Sequence, residues 1–73
     1  MNVWVIIGGA IFENCEVLSL IFDESQVMPK VKELFLYDPM IDFIKVETWY
    51  REEGTDDASF YDSEIYSREE VVG

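Results

Sequence analysis

Val3-Trp4-Val5-Ile6-Ile7-Gly8-Gly9 stands almost at the start of the chain and is apolar throughout. In an extended strand successive side chains point to opposite faces, so the odd-numbered residues would share one face and Trp4 and Ile6 the other. A short run of β-branched and aromatic residues that ends at glycines is typical of a strand covered on both faces. We therefore predict a central strand over residues 2–8, around which the other elements are arranged.

Two further segments have the composition of strands. Residues 16–22 read Glu-Val-Leu-Ser-Leu-Ile-Phe and predict a second strand, joined to the first by a turn over residues 8–15. Residues 42–51 alternate between apolar and polar side chains, with Ile44, Val46, Thr48 and Tyr50 on one face, and predict a third strand.

A helix is predicted between the second and third strands. Apolar residues recur there at helical spacing, which gives a buried stripe of Val27, Val31, Leu34 and Phe35. Ser25 is the expected N-cap, because a helix that starts there keeps Pro29 in its first turn, where a missing N–H is tolerated.

The order of these elements predicts an α+β fold of ββαβ type. The first two strands form a hairpin and the helix crosses over to the third strand, which gives a three-stranded antiparallel sheet of order 2-1-3 packed on one helix. Residues 1–53 make up this domain. Residues 54–73 form an acidic and aromatic C-terminal segment, which is either a short fourth strand at the sheet edge, over residues 59–67, or a solvated tail.

One helix can cover only one side of such a sheet. We expect the odd-numbered residues of the first strand to face the helix together with Ile44 and Val46. The far face would then present Trp4, Ile6, Phe43 and Trp49, an apolar patch that soluble monomers seldom leave bare. Its cover is the C-terminal segment folding back, a second copy of the chain in a homodimer, or a foreign protein.

The charge balance restricts the partners of this protein. Sixteen acidic residues stand against five basic ones, for a net charge of −11, and residues 52–73 alone hold eight acids and one arginine, a net −7. Phosphate backbones and anionic membranes would be repelled, so neither direct nucleic-acid binding nor membrane binding is expected. A basic protein surface would be attracted.

Catalytic and metal chemistry is poorly provided for. The chain has no histidine and one cysteine, Cys15, so it has no Ser-His-Asp or Cys-His arrangement, no cysteine and histidine zinc set and no intrachain disulfide. The acidic pairs lie in a polar segment where solvation is the default. We predict a protein that is not an enzyme, with no cofactor and no metal site. The lone thiol and the absence of a signal sequence or membrane helix favour the cytoplasm.

The remaining functional signal is a set of carboxylates interleaved with aromatic residues. Carboxylates can imitate the phosphates of nucleic acid, while aromatic side chains provide the packed anchors common in protein interfaces. The residues expected at the partner interface are Trp49, Asp56, Asp57, Phe60, Tyr61, Asp62, Glu64 and Tyr66.

Three segments carry a likeness to known proteins: the opening strand, Glu16-Val-Leu-Ser-Leu-Ile-Phe-Asp-Glu-Ser25, and Phe43-Ile-Lys-Val-Glu-Thr-Trp-Tyr50. Over about residues 2–53 the pattern resembles the small, uncharacterised acidic ββαβ accessory proteins of bacteriophages. The resemblance implies a phage-encoded inhibitor, in the cytoplasm of the host cell, that occupies a basic surface of a host defence protein, such as a CRISPR effector or a restriction enzyme, or of a nucleic-acid-binding protein. A second interpretation stays open: a self-associating structural or accessory module whose far sheet face is its homo-oligomer interface.

Overall fold

The computed structural model of the chain describes residues 1–10, 15–54 and 57–73. Residues 11–14 of the turn predicted over residues 8–15 lie outside the described residues. The elements, in chain order, are β1 (Asn2–Gly9), β2 (Glu16–Ile21), α1 (Val27–Tyr37), β3 (Phe43–Arg51), β4 (Ala58–Ser67) and α2 (Arg68–Val72). They form one antiparallel sheet of order β2-β1-β3-β4 with the helices packed on it.

The α+β class and the order 2-1-3 are therefore confirmed, and of the two alternatives for the C-terminal segment the fourth strand at the sheet edge is the one that forms, whereas the prediction of a single helix and a sheet of only three strands is wrong. β4 pairs with β3 along its length, from Arg51 opposite Ala58 to Phe43 opposite Ser67. The physical reason is that β3 would otherwise be an edge with a row of unpaired N–H and C=O groups, which the ten residues of β4 satisfy. The C-terminal segment thus widens the sheet and does not fold back across it.

The faces of β1 are the reverse of the prediction. Residues directly opposite each other in an antiparallel pair lie on the same face. The register places three β1 residues beside the helix-facing residues of β3, as Trp4–Thr48, Ile6–Val46 and Gly8–Ile44. Val3, Val5 and Ile7 therefore face away from the helices. The prediction was wrong because β1 is apolar on both sides, so its sequence pattern does not indicate which side faces the core.

Gly8 contributes to this choice of face. A Cβ atom built on Gly8 would lie 2.6 Å from Leu18 Cδ1 and 3.4 Å from Ile44 Cγ1. Contacts under 3.0 Å are essentially never seen for real Cβ atoms, so a side chain at residue 8 would force the end of the Leu18 side chain to move. The helix-facing side of β1 is thus the side that contains the glycine.

The core lies between the sheet and α1. Its buried residues are Ile6, Val27, Val31, Phe35, Ile41, Ile44 and Val46, and Leu34, Val71 and Val72 pack against them partly buried. The helical stripe predicted for α1 is thus the stripe that packs on the sheet. The residues that fill the core all pack on one side of the sheet, as a two-layer architecture requires.

The start of α1 differs from the prediction that Ser25 is the N-cap. Asp23 caps a short 3-10 turn over Glu24–Gln26, in which its carboxylate accepts a hydrogen bond from the Ser25 N–H at 3.0 Å. The α-helix follows at Val27, so Pro29 falls in its first turn as predicted, and Gln26, which directly precedes the helix, makes no side-chain capping hydrogen bond.

Arg68 joins the end of β4 to the end of α1. Its guanidinium donates hydrogen bonds to the carbonyl oxygens of Phe35, Asp38 at 2.8 Å and Ile41 at 2.6 Å, and it lies 5.2 Å from the centre of the Phe35 ring. These carbonyls belong to the last turn of α1 and the loop after it, where a cation is favoured by the helix dipole. Arg68 therefore satisfies part-buried carbonyl acceptors and fixes α1 against the C-terminal segment.

Candidate functional site

The side chains of β4 divide between the two sides of the sheet. Asp62, Glu64 and Tyr66 lie opposite Thr48, Val46 and Ile44, and so share the helix-facing side. Phe60 lies opposite Trp49 and Ile65 opposite Lys45, on the other side. The register of β4 on β3 shifts between Phe60 and Asp62, which leaves Tyr61 as the extra residue of a bulge.

The helix-facing residues of β4 line a groove of about 390 Å³ that is open to solvent beside the start of α1. We call it the acidic groove. Its lining consists of Asn2, Trp4, Glu24, Val27, Met28, Val46, Thr48, Tyr61, Asp62, Ser63, Glu64 and Tyr66. Three of these described residues are acidic and none is basic. Trp4, Val27 and Val46 supply an apolar wall beside the carboxylates.

Hydrogen bonds orient the groove's carboxylates. The Tyr66 hydroxyl donates to Glu64 Oε2, and the Ser63 N–H donates to Asp62 Oδ1 at 2.8 Å. The hydrogen bond to Glu64, partial burial and the negative charges of Glu64 and Glu70 raise the pKa of Tyr66 to about 12. Tyr66 is therefore a neutral donor at ordinary pH. A carboxylate has about four acceptor positions, so one such bond leaves capacity for a cation.

The carboxylates are spread along the groove and are not gathered at one point. Within the part of the chain that the structure describes, no three cysteine or carboxylate side chains come close enough together to hold a metal ion. A divalent ion needs several oxygen ligands within roughly 2.0–2.6 Å. The arrangement suits an extended cationic group better than a compact ion.

The opposite side of the sheet, which we call the open sheet face, is largely apolar, and neither of the described helices packs on it. Its described residues with side chains larger than serine are Val3, Val5, Ile7, Val17, Leu20, Phe43, Lys45, Glu47, Trp49, Arg51, Phe60 and Ile65. None of them is buried, and Val17, Leu20, Phe60 and Ile65 are more than half exposed.

The middle of the open sheet face is ordered by side-chain contacts. The rings of Trp49 and Phe60 meet edge to face, with centroids 5.5 Å apart and an interplanar angle of 74°. Lys45 Nζ lies 3.3 Å from Glu47 Oε2, and the Trp49 indole donates a hydrogen bond to the other carboxylate oxygen, Oε1, at 3.4 Å. The face is thus a preformed apolar surface with a neutral ion pair at its centre.

The residues predicted for the interface lie in more than one place. Tyr61, Asp62, Glu64 and Tyr66 come together in the acidic groove, whereas Trp49 and Phe60 lie on the open sheet face. Asp57 is exposed just before β4, and Asp56 lies outside the described residues.

Several groove residues were not predicted from the sequence, and two of them, Glu24 and Trp4, matter most for the chemistry of the groove. Glu24 is 38 positions from Asp62, so no local pattern joins them, and Trp4 was assigned to the far side of the sheet. The side of the sheet on which Trp4 lies follows from the alternation of β3 once the register of β1 on β3 is known, because Trp4 lies opposite Thr48.

No family model, curated protein sequence or solved structure matches the chain. Neither helix of the described residues has the length and hydropathy needed to cross a bilayer.

Proposed function

We propose that this chain is a non-enzymatic protein that binds a basic surface of another protein through the acidic groove. The observation that carries the proposal is the lining of that groove, where Glu24, Asp62 and Glu64 surround an apolar wall without any basic residue. Its volume of about 390 Å³ is near the lower end of the range for ligand sites, which are about 300–1,000 Å³. It would hold one or two side chains of a partner.

Lysine and arginine side chains are chemically complementary to the lining of the acidic groove. Their charged ends pair with carboxylates, and their methylene stems pack on apolar surface such as Trp4 and Val27. Tyr61, which is largely exposed, stands at the rim as an aromatic contact. Exposed ion pairs contribute only about 0.2–1 kcal/mol each, so a stable complex needs several such contacts together.

The net charge of −11 supports the same kind of partner over a longer range. A strongly negative molecule is steered towards positive surfaces and away from nucleic acid. Proteins that bind nucleic acid present such surfaces. We propose, from this charge and from the resemblance to phage accessory proteins, that the chain is a phage-encoded inhibitor of a host defence protein or another nucleic-acid-binding protein.

Binding to a basic probe tests the role of the groove. The probe is a short lysine- and arginine-rich peptide, compared with the same peptide in which glutamine replaces every basic residue, and affinity is measured by calorimetry. We expect Asp62→Asn combined with Glu64→Gln to weaken binding roughly tenfold, because two of three groove charges are lost. Raising the salt from about 0.01 M to about 1 M, which shortens the Debye length from about 30 to about 3 Å, should weaken it further.

The matched control removes the same charge elsewhere. Glu16→Gln combined with Glu53→Gln neutralises two exposed carboxylates outside the groove and should change affinity much less. Equal losses in the two double variants would mean that only net charge matters, and the groove would not be the site. Removing residues 55–73 is a poor control, because it deletes β4 and the Arg68 contacts. Capture of a host defence protein by the wild type, but not by the groove variant, would test the inhibitor role.

A further inference from the structure

The two sides of the sheet carry opposite charge. Among the described strand residues, the helix-facing side has Glu16, Asp62 and Glu64 and no basic side chain, a net −3. The open sheet face has Lys45, Arg51 and one acid, Glu47, a net +1. A basic partner would therefore be drawn to the acidic groove, whereas the open sheet face, which is nearly neutral, offers it little electrostatic attraction. The occupant of the open sheet face must be of another kind.

We infer that the open sheet face is the interface of a homodimer, in which two copies of the chain pack their sheets face to face. A two-fold axis brings the same patch of each copy together, so the patch must be complementary to itself. An apolar surface meets this condition. The Lys45–Glu47 pair meets it too, because the lysine of one copy can approach the glutamate of the other without leaving a charge unpaired.

The size of the face sets the strength of such a dimer. The strands have six to ten residues, and with about 4.8 Å between strands and about 3.3 Å per residue the face measures roughly 400–600 Å² in projection. Stable complexes bury about 600–1,000 Å² on each partner. The open sheet face reaches at most the lower limit of this range, so we expect a weak dimer with a dissociation constant on the order of micromolar.

A second copy also meets a need of the fold. A domain of about 60 residues buries only about 60% of the surface its unfolded chain exposes, and small domains usually add a disulfide, a metal or a partner subunit. Cys15 is the single cysteine of the chain, so an intrachain disulfide is impossible. Packing a second sheet on Val5, Trp49 and their neighbours would give the sheet a core on both sides.

Salt separates this interface from binding through the groove. Each copy carries a net charge of −11, so two copies repel each other at long range although their contact surfaces are nearly neutral. Salt screens this repulsion and leaves apolar burial intact. We expect the dimer to strengthen as salt rises, whereas binding of the basic peptide weakens.

Sedimentation equilibrium of the full chain, at concentrations that bracket the micromolar range and at low and high salt, tests the inference. Leu20 on the open sheet face is 52% exposed, and Leu36 on the outer side of α1 is 67% exposed. Leu20→Glu should weaken dimerisation at least about tenfold, because it places a charge in the contact, whereas the matched Leu36→Glu should leave it within about twofold of the wild type.

Ile65→Glu is a second variant on the open sheet face, where Ile65 is 65% exposed. It tests the inference if circular dichroism shows that Leu20→Glu does not fold. A wild type that stays monomeric at every concentration and salt, or folded Leu20→Glu and Ile65→Glu variants that dimerise like the wild type, would overturn the inference. The variant with Asp62→Asn and Glu64→Gln should dimerise at least as well as the wild type. A result that overturns the dimer therefore does not affect the proposed function of the acidic groove, and a result that overturns binding at the groove does not affect the dimer.

Discussion

Tyr66 shows how one hydrogen bond fixes the chemistry of the acidic groove. Its hydroxyl donates to Glu64, and this bond is the largest cause that raises the pKa of Tyr66 from about 10 to about 12. The folded state therefore keeps this proton to a higher pH than the unfolded state does. The resulting contribution to stability is fully present below pH 10 and is lost as the pH rises through about 12.

Ultraviolet absorbance of the phenolate measures this effect. Subtracting the titration of Tyr66→Phe from that of the wild type leaves the curve of Tyr66 alone, and we expect its midpoint near pH 12. Glu64→Ala should move the midpoint towards 10, because it removes both the acceptor and the nearest negative charge. Glu70→Ala, which removes only a weaker charge effect, should move it less. A Tyr66 midpoint that is unchanged in the Glu64→Ala variant would show that the hydrogen bond does not form.

The sequence predicted that Asp62, Glu64 and Tyr66 are interface residues, but it did not predict which of the other interface residues share a surface with them. Asp62, Glu64 and Tyr66 alternate, which places them on one side of any strand that contains them. Whether Phe60 shares that side depends on the bulge at Tyr61, which reverses the alternation and which no residue type announces. One extra residue in β4 therefore divides a continuous acidic and aromatic sequence between two surfaces.

α2 is a short helix that the sequence analysis missed, although a local signal was present. Ser67 accepts a hydrogen bond from the Glu70 N–H, and its hydroxyl donates to the Glu70 carboxylate. Ser67-Arg-Glu-Glu70 is thus a capping box, a pattern that marks a helix start. The helix sets the direction in which the chain leaves β4 and brings Val71 and Val72 onto the core.

Arg68 is the residue through which α2 and α1 are held together, and its loss should be costly. Arg68→Ala removes charged hydrogen bonds to three carbonyls, and we expect the free energy of unfolding to fall by about 2–4 kcal/mol. A chain of this length has roughly 4–11 kcal/mol in total, so the loss is a large fraction of its stability. Urea denaturation at one fixed protein concentration measures the change, because dimerisation makes apparent stability depend on concentration.

Two controls separate the geometry of Arg68 from its charge. Arg68→Lys keeps the charge but cannot reach three carbonyls at once, so it should recover less than half of the lost stability. Lys32→Ala removes a cation from the exposed side of α1 and should stay within about 0.5 kcal/mol of the wild type. Full stability in Arg68→Lys would mean that the guanidinium contacts contribute little.

Helix α1 and strand β3 were the elements that the sequence predicted best. Each has one clearly apolar side, so its pattern determines both its type and its orientation. β1 is apolar on both sides, and its orientation comes from its neighbours: Ile6 lies opposite Val46, and Gly8 makes room for Leu18. Local pattern thus determines an element only where the two sides differ.

The complete chain has two surfaces with different chemistry. The acidic groove combines Glu24, Asp62 and Glu64 on the helix-facing side of the sheet, and the open sheet face is apolar and nearly neutral. An apolar side left bare by a single helix was foreseeable from the number of elements. The separation of the acidic residues from that side was not, because it depends on the register of β4 on β3.

This separation implies that a basic partner and a second copy of the chain can bind together, since they use opposite sides of the sheet. The central claim about the second surface is that the open sheet face is bare in a single chain and is covered in the dimer. Trp49 lies on this face, and Trp4, the second tryptophan of the chain, lies on the other side. Trp4→Phe therefore makes Trp49 the only indole and a reporter of the face.

Quenching of Trp49 fluorescence by the neutral molecule acrylamide, in the Trp4→Phe variant at rising protein concentration, measures this directly. We expect ready quenching in dilute solution and protection as the concentration passes through the micromolar range, with the Leu20→Glu substitution keeping Trp49 accessible throughout. Protection of Trp49 at every concentration would show that the chain covers its own sheet, and accessibility at every concentration would show that no second copy does; either result would contradict the claim.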